Sequence, residues 1–163
     1  MERTLGIDVS FWQDDNNTPR QIDWKKSKTA GAVFAFIKAG QAAFTDSDFD
    51  FNWKESKNAG VLRGAYHFYD YRISPNTQVA HFIKLLKNEP GELPPVMDLE
   101  AHPNWPLPPR ENLLAVIKTF LETLQTEFGR KPLFYTNPSK LGLIAAIAAG
   151  ILCGTLSERR LER

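Results

Sequence analysis

Asp98 and Glu100 stand one residue apart in the run Pro94-Pro95-Val96-Met97-Asp98-Leu99-Glu100, and Asp8 holds a similar place in Leu5-Gly6-Ile7-Asp8-Val9-Ser10. In an extended strand, residues two apart project to one face with Cα atoms roughly 6.5 Å apart. Asp98 and Glu100 should therefore point the same way, with Asp8 converging from another strand. In a partly buried cleft, two neighbouring carboxyls cannot both ionise freely. One keeps a proton and the other keeps its charge, which is what cleavage of a glycosidic bond needs. The expectation is that Glu100 carries the raised pKa and that Asp98 stays charged. The competing reading has these acids capping helices or pairing with Lys38 or with arginines.

Other side chains fall near the same strand ends. Lys38 closes an apolar strand, where it either pairs with a carboxylate or snorkels to solvent. Tyr66 and His67 are adjacent and so face opposite sides. If Tyr66 faces the site, His67 faces the helices as a hydrogen-bonded core residue. Trp105 lies in the stiff loop His102-Pro-Asn-Trp-Pro-Leu-Pro-Pro109. It either stacks on a sugar or anchors the loop, and Trp12, just past Asp8, has the same two readings. Phe34 and Phe36, alternating on one strand, read as core. Three scattered histidines and the single Cys153 give no metal-ligand spacing, so no metal or other cofactor is expected. No Gly-rich phosphate loop follows any strand.

The elements that must carry these residues recur about every 30 residues, the length of a strand–helix unit. Strands are expected at Leu5–Val9, Val33–Lys38, Leu62–Tyr69, Pro95–Leu99 and Pro132–Thr136. Helices are expected at Trp24–Thr29 with Asp23 as N-cap, at Asp50–Ala59 ended by Gly60, from Ser74-Pro75 to about Asn88, and at Arg110–Phe128 ended by Gly129. The third presents Val79, Phe82, Ile83 and Leu86 on one face. The fourth presents Leu113, Val116, Ile117, Phe120, Leu121 and Leu124. Continuous apolar strands alternating with helices predict an α/β fold with parallel strands. The first choice is an irregular TIM-type (β/α) barrel, incomplete at five visible strand–helix units, against the eight strands and about 250 residues usual for that fold. A doubly wound open sheet is the alternative. Both collect sites at the carboxyl ends of strands.

The 163 residues suffice for one domain with a core. The formal net charge of +1 gives no reason to expect nucleic acid as a partner. The start, Met1-Glu2-Arg3-Thr4, shows no signal peptide. The apolar run Leu141–Cys153 is too short for a membrane span. Every Phe, Trp and Tyr lies at or before Tyr135 and no Asp follows Asp98. A domain over residues 1–140 followed by a divergent tail over 141–163 is therefore expected.

Gly6-Ile7-Asp8-Val9-Ser10, Phe36-Ile37-Lys38-Ala39, Gly64-Ala65-Tyr66-His67-Phe68, Met97-Asp98-Leu99-Glu100 and Leu133-Phe134-Tyr135-Thr136-Asn137 stand in the order and spacing of the glycoside hydrolase family 25 lysozymes, which the chain resembles over roughly residues 4 to 139. Each motif alone is common; five in order are specific. The resemblance implies an irregular (β/α) barrel and an N-acetylmuramidase that cuts the β-1,4 bond between N-acetylmuramic acid and N-acetylglucosamine in peptidoglycan. By motif, Glu100 would be the general acid, and Asp98 and Asp8 the supporting carboxylates. Tyr66 and Lys38 would line the site, with Tyr135 beside it. The family's late-strand aspartate and aromatic residues have no counterpart here, because the sequence leaves the pattern after about Ser139.

Three function classes follow. The first is a muramidase of bacterial or phage type acting at the cell wall. The second is a truncated, non-catalytic domain of the same type with residual glycan binding. The third is an unrelated parallel α/β enzyme with a carboxylate site. Five strands without closure leave two open edges, so self-association is expected.

Overall fold

A computed structural model describes residues 4–13, 22–100 and 104–136. Its centre is a sheet of five parallel strands, β1 (Leu5–Val9), β2 (Ala32–Gln41), β4 (Leu62–Phe68), β5 (Val96–Asp98) and β6 (Leu133–Tyr135). A two-residue strand, β3 (Phe44–Thr45), folds back antiparallel on β2. Four helices connect them: α1 (Trp24–Thr29), α2 (Phe49–Asn58), α3 (Pro75–Leu86) and α4 (Arg110–Phe128). The parallel strands lie side by side in chain order, β1-β2-β4-β5-β6. That order decides between the two expected architectures. A doubly wound sheet reverses direction at a switch point and puts helices on both faces. An unreversed order with right-handed crossovers puts every helix on one face, which is a barrel wall. Among the described residues this wall does not close; β1 and β6 are its edges.

The period-two alternation of the strands separates the two faces. Ala35, Ile37, Ala39, Ala65, Met97 and Leu99 are buried toward the helices. They meet Val79, Phe82 and Leu86 of α3 and Leu113, Ile117, Phe120 and Leu124 of α4 in one core. Both helical stripes foreseen in the sequence are therefore the buried ones, with Val116 and Ile83 at the margin. Opposite them, Phe34, Phe36, Lys38, Tyr66, Val96 and Asp98 face the concave side. Phe34 and Phe36 thus depart from their expected place. They are half-buried and line an open cleft, because among the described residues nothing covers that face. Their rings lie over glycines: a Cβ on Gly64 would come within 2.3 Å of Phe36, and one on Gly6 within 2.1 Å of Phe34.

Local chemistry sets the element ends. Asp23 caps α1 by accepting the Lys26 amide at 3.0 Å. Gly129 ends α4 at φ 63°, in the left-handed region. Ser74 occupies the N-cap position of α3, but the cap lacks a side-chain hydrogen bond, and Pro75 starts the helix. At the amino end of β4, Arg63 is 1% exposed and holds Glu92 with two bonds, Nη2–Oε1 at 2.8 Å and Nε–Oε2 at 3.1 Å. It also donates to the Trp53 carbonyl at 2.9 Å. This ties the loop that leads into β5 to the strand beside it. Among the described residues no helix is long and apolar enough to cross a membrane. The boundary expected at residue 140, and the Ala-rich run after it, lie outside the described residues.

Candidate active site

Strand register brings the acids together. Phe68, Asp98 and Tyr135 are partners across β4, β5 and β6, and Lys38 is the partner of Tyr66 across β2 and β4. All sit at the carboxyl ends of their strands. β5 is only three residues long, yet its extended path continues: the Leu99 amide donates to the Tyr135 carbonyl at 3.0 Å. Alternation then sends Leu99 into the core and keeps Glu100 on the side of Asp98. A cleft of about 430 Å³ opens on the concave face, lined by Asp8, Tyr66, Asp98 and Tyr135 together with Gly6, Phe34 and Phe36.

The electrostatics of these groups are coupled. Asp98 is 9% exposed, and its Oδ1 has no hydrogen-bond partner among the described residues. Burial pushes its pKa up to about 8, with the Glu100 and Asp8 charges adding to the rise and Lys38 opposing it. Burial thus favours the protonated form of Asp98, the carboxyl expected to stay charged. The reason is depth: Asp98 lies within the strand, whereas Glu100 stands half-buried beyond its end. Asp8 keeps solvent contact, but the surrounding protein still raises its pKa, while the Tyr66 hydroxyl and Lys38 pull it down. Tyr66 hydrogen-bonds Asp8, and burial between the acids raises its own pKa well above the ordinary phenol value. Tyr135, more than half exposed, is raised by partial desolvation and by the nearby Glu100.

Lys38 is buried rather than snorkelling. Its Nζ bonds Gln41 Oε1 at 3.2 Å and lies over the rings of Phe11 and Phe68 at 5.4 and 5.2 Å. Burial lowers its pKa, and the charges of Asp46, Asp98 and Asp8 counter that. Asp46 did not stand out in the sequence. It is buried, its Oδ2 accepts from the Phe11 amide at 3.2 Å and its Oδ1 from the Asp48 amide at 3.1 Å. It thereby pins the turn that follows Asp8 to the start of α2, beside Lys38. An aspartate three residues before a helix resembles an ordinary turn residue, so nothing local signalled this second contact.

The remaining expected residues lie apart from the cleft. Trp12 is 66% exposed on a 3₁₀ turn (Phe11–Gln13), its ring 4.4 Å from that of Phe11. One side of the Trp105 ring carries the Arg72 guanidinium at 3.5 Å, and Tyr71 meets it edge-on at 5.8 Å while bonding its carbonyl at 3.0 Å. These contacts make Trp105 an anchor of its loop. His67 faces the helices between Phe82 and Phe120, with Nε2 3.2 Å from Gln78 Oε1; burial lowers its pKa to about 4. Among the described residues no cluster of His, Cys, Asp and Glu could hold a metal ion.

Carboxyl groups converging on the carboxyl ends of parallel strands in a barrel wall are the layout of (β/α)-barrel enzymes, whose chemistry sits at that rim. Comparison with known proteins gives the particular group. The family model of glycosyl hydrolases family 25 matches residues 7–141, and the chain belongs to that family. YegX of Escherichia coli strain K12 is 34% identical over 138 residues, covering 81% of this chain and 47% of YegX. Lysozyme M1 of Streptomyces globisporus is 36% identical over 104 residues, 61% of this chain and 33% of that protein. Among solved structures, a family 25 glycosyl hydrolase from Bacillus anthracis superposes with a TM-score of 0.69 at 31% identity, over 80% of this chain and 59% of that one. The chain thus spans about half the length of the curated relative YegX.

Proposed function

We propose that residues 1–140 form a lysozyme domain that hydrolyses the β-1,4 linkage between N-acetylmuramic acid and N-acetylglucosamine in peptidoglycan, acting at the cell wall. Glu100 is the general acid, and Asp98 and Asp8 are the supporting carboxylates. Tyr66, Lys38 and Tyr135 line the site. The observation that carries this reading is the buried Asp98 sharing one strand-end cleft with Asp8 and Tyr66, where the charges of Glu100 and Asp8 add to the rise in its pKa. The chain's similarity to a protein named lysozyme M1 supports the same substrate class.

Cleavage needs a proton for the leaving oxygen and a counter-charge for the oxocarbenium-like transition state. At neutral pH Asp98, its pKa raised to about 8, retains a proton. Passing it to Glu100, the outer of the two, arms the acid and leaves Asp98 and Asp8 as anions beneath the developing positive charge. The rate should then fall as pH rises through about 8, where that proton is lost. Clearance of a cell-wall suspension, measured as turbidity, tests the reading. Clearance that vanishes in Glu100→Gln is expected; clearance unchanged by that substitution removes Glu100 from the mechanism. A second reading, glycan retention without turnover, draws on the open side of the sheet among the described residues. Sedimentation of the protein with insoluble wall and no clearance would favour it.

A further inference from the structure

We propose that a cavity on the far side of Lys38 is a second saccharide subsite, in which an N-acetylhexosamine ring of the same glycan stacks on Phe44. The proposal rests on the lysozyme reading and extends that site along β2 and β3. The cavity holds about 380 Å³ and is lined by Phe11, Lys38, Gln41, Phe44, Asp46 and Arg72 among others. Lys38 connects it to the cleft, because the same ammonium feels Asp98 and Asp8 on one side and Asp46 on the other.

Phe44 is 75% exposed, the most exposed large hydrophobic residue among those described. An aromatic ring left in water on a loose loop would carry no meaning. This one is held. Phe44 and Thr45 pair antiparallel with Gln41 and Gly40. The turn between them needs Ala42 at φ 54°, a conformation that a residue with a Cβ rarely adopts. The Phe44 carbonyl approaches Gly40 so closely that a Cβ there would lie 2.4 Å from it. Thr45 Oγ1 stands 3.3 Å from His81 Nε2 of α3, which braces the hairpin from behind. A strained, braced two-residue strand that presents one bare ring marks a position kept for contact.

The cavity's chemistry suits a neutral, amphiphilic ligand. A pyranose has an apolar C–H face, which an aromatic ring covers, and edges of hydroxyl and acetamide groups that need hydrogen-bond partners. Gln41 and Thr45 supply such partners. So does Lys38, which makes one hydrogen bond among the described residues and has three donors. The ionic groups are otherwise satisfied internally. Arg72 grips Asp70 through Nε–Oδ1 at 2.9 Å and Nη2–Oδ2 at 2.6 Å, and Asp46 accepts from two backbone amides. Among the described lining residues Arg72 and Asp46 are thus held by partners of their own, and the glycan chain is the occupant the site fits.

The test uses the full chain carrying Glu100→Gln, so that ligand is not consumed, and measures calorimetric binding of an uncharged tetrasaccharide of N-acetylglucosamine. Adding Phe44→Ala should weaken binding about tenfold, the scale of one aromatic stacking contact. Adding Phe44→Tyr should leave affinity within about twofold. Thermal melts of both should match the parent, because the ring is exposed. Equal affinity in Phe44→Ala, or no measurable binding by the parent, overturns the proposal. A loss seen only with peptide-bearing fragments also overturns it and assigns the cavity to the stem peptide. Phe44-dependent binding by a protein whose wild-type form clears no cell wall would sustain the subsite and refute the chemistry alone.

Discussion

Asp98 should cost this fold stability, and the cost should grow with pH. Its pKa rises from 3.8 to about 8 on folding, mainly through burial. Between those values the unfolded chain has released the proton while the folded chain still holds it. Stability therefore falls as pH rises through this window, and the full penalty is present above about 8. At pH 7 the unfolded state is favoured over roughly three pH units at about 1.4 kcal/mol each, a penalty on the order of 4 kcal/mol. Asparagine has nearly the same shape and no charge to lose. Asp98→Asn should then be more stable than the wild type by about 4 kcal/mol at pH 7, by less than half of that at pH 5, and by almost nothing at pH 3.5. For a chain of this length the pH 7 difference corresponds to a melting temperature about 10 °C higher. Urea denaturation of both proteins at the three pH values reads the effect directly. A difference that does not change with pH, or a variant less stable than the wild type at pH 7, would refute the assignment of the buried proton to Asp98.

Four further outcomes follow from the packing. Arg63→Met should cost about 3 kcal/mol by chemical denaturation, because it unties β4 from the loop holding Glu92 and Glu89; a neutral effect would show that the ion pairs add nothing. The bonds from Arg63 hold the Glu92 pKa at about 2 against burial, which pushes it up, so the part of stability due to that pair should persist above pH 4.5 and drain away toward pH 2. Gly64→Ala should cost about 1–3 kcal/mol through collision with Phe36, and Phe36→Leu should recover part of it; independent effects in a double-mutant cycle would contradict the contact. The 163-residue chain produced alone should associate with rising concentration, since β1 and β6 are unpaired edges among the described residues. A single monomeric species by sedimentation velocity across a hundredfold range would count against that.

Most of the wall was legible because it obeys local rules. The alternation in Val33–Lys38 and the 3.6-residue stripe in Arg110–Phe128 each correspond to one buried face, and Asp23 and Gly129 mark helix ends by backbone chemistry alone. The barrel-type winding was less so: periodicity gives the number of units but not their lateral order, and only the unreversed pairing of β1, β2, β4, β5 and β6 separates a barrel wall from a doubly wound sheet. Phe34 and Phe36 were misplaced for a related reason. An alternating pair of aromatics says that one face of a strand is apolar, not whether anything covers it. β3 escaped notice because two residues carry no period. Asp46 escaped because its contact with Phe11 spans 35 residues. The rise in the Asp98 pKa was not legible because spacing gives the proximity of Asp98 and Glu100 but not their relative depth.

That depth is what makes the site asymmetric. Lys38 is the buried cation of the rim, and it faces Asp8, Asp46 and Asp98. One positive charge among three carboxyls, with Glu100 a further acid beside Asp98, leaves the rim with more acid than it can hold ionised. The fold answers by keeping a proton on its most deeply placed carboxyl, not by adding a second cation. On the proposed reading, positive charge appearing on a sugar ring in this site would find acids already in place without any rearrangement of the protein. A second arginine or lysine at Tyr135, the exposed neighbour of Glu100, would satisfy the acids in the resting state and so lower the Asp98 pKa. The same change that stabilised the fold at neutral pH would then withdraw both the stored proton and the negative charge on which the proposed cleavage depends.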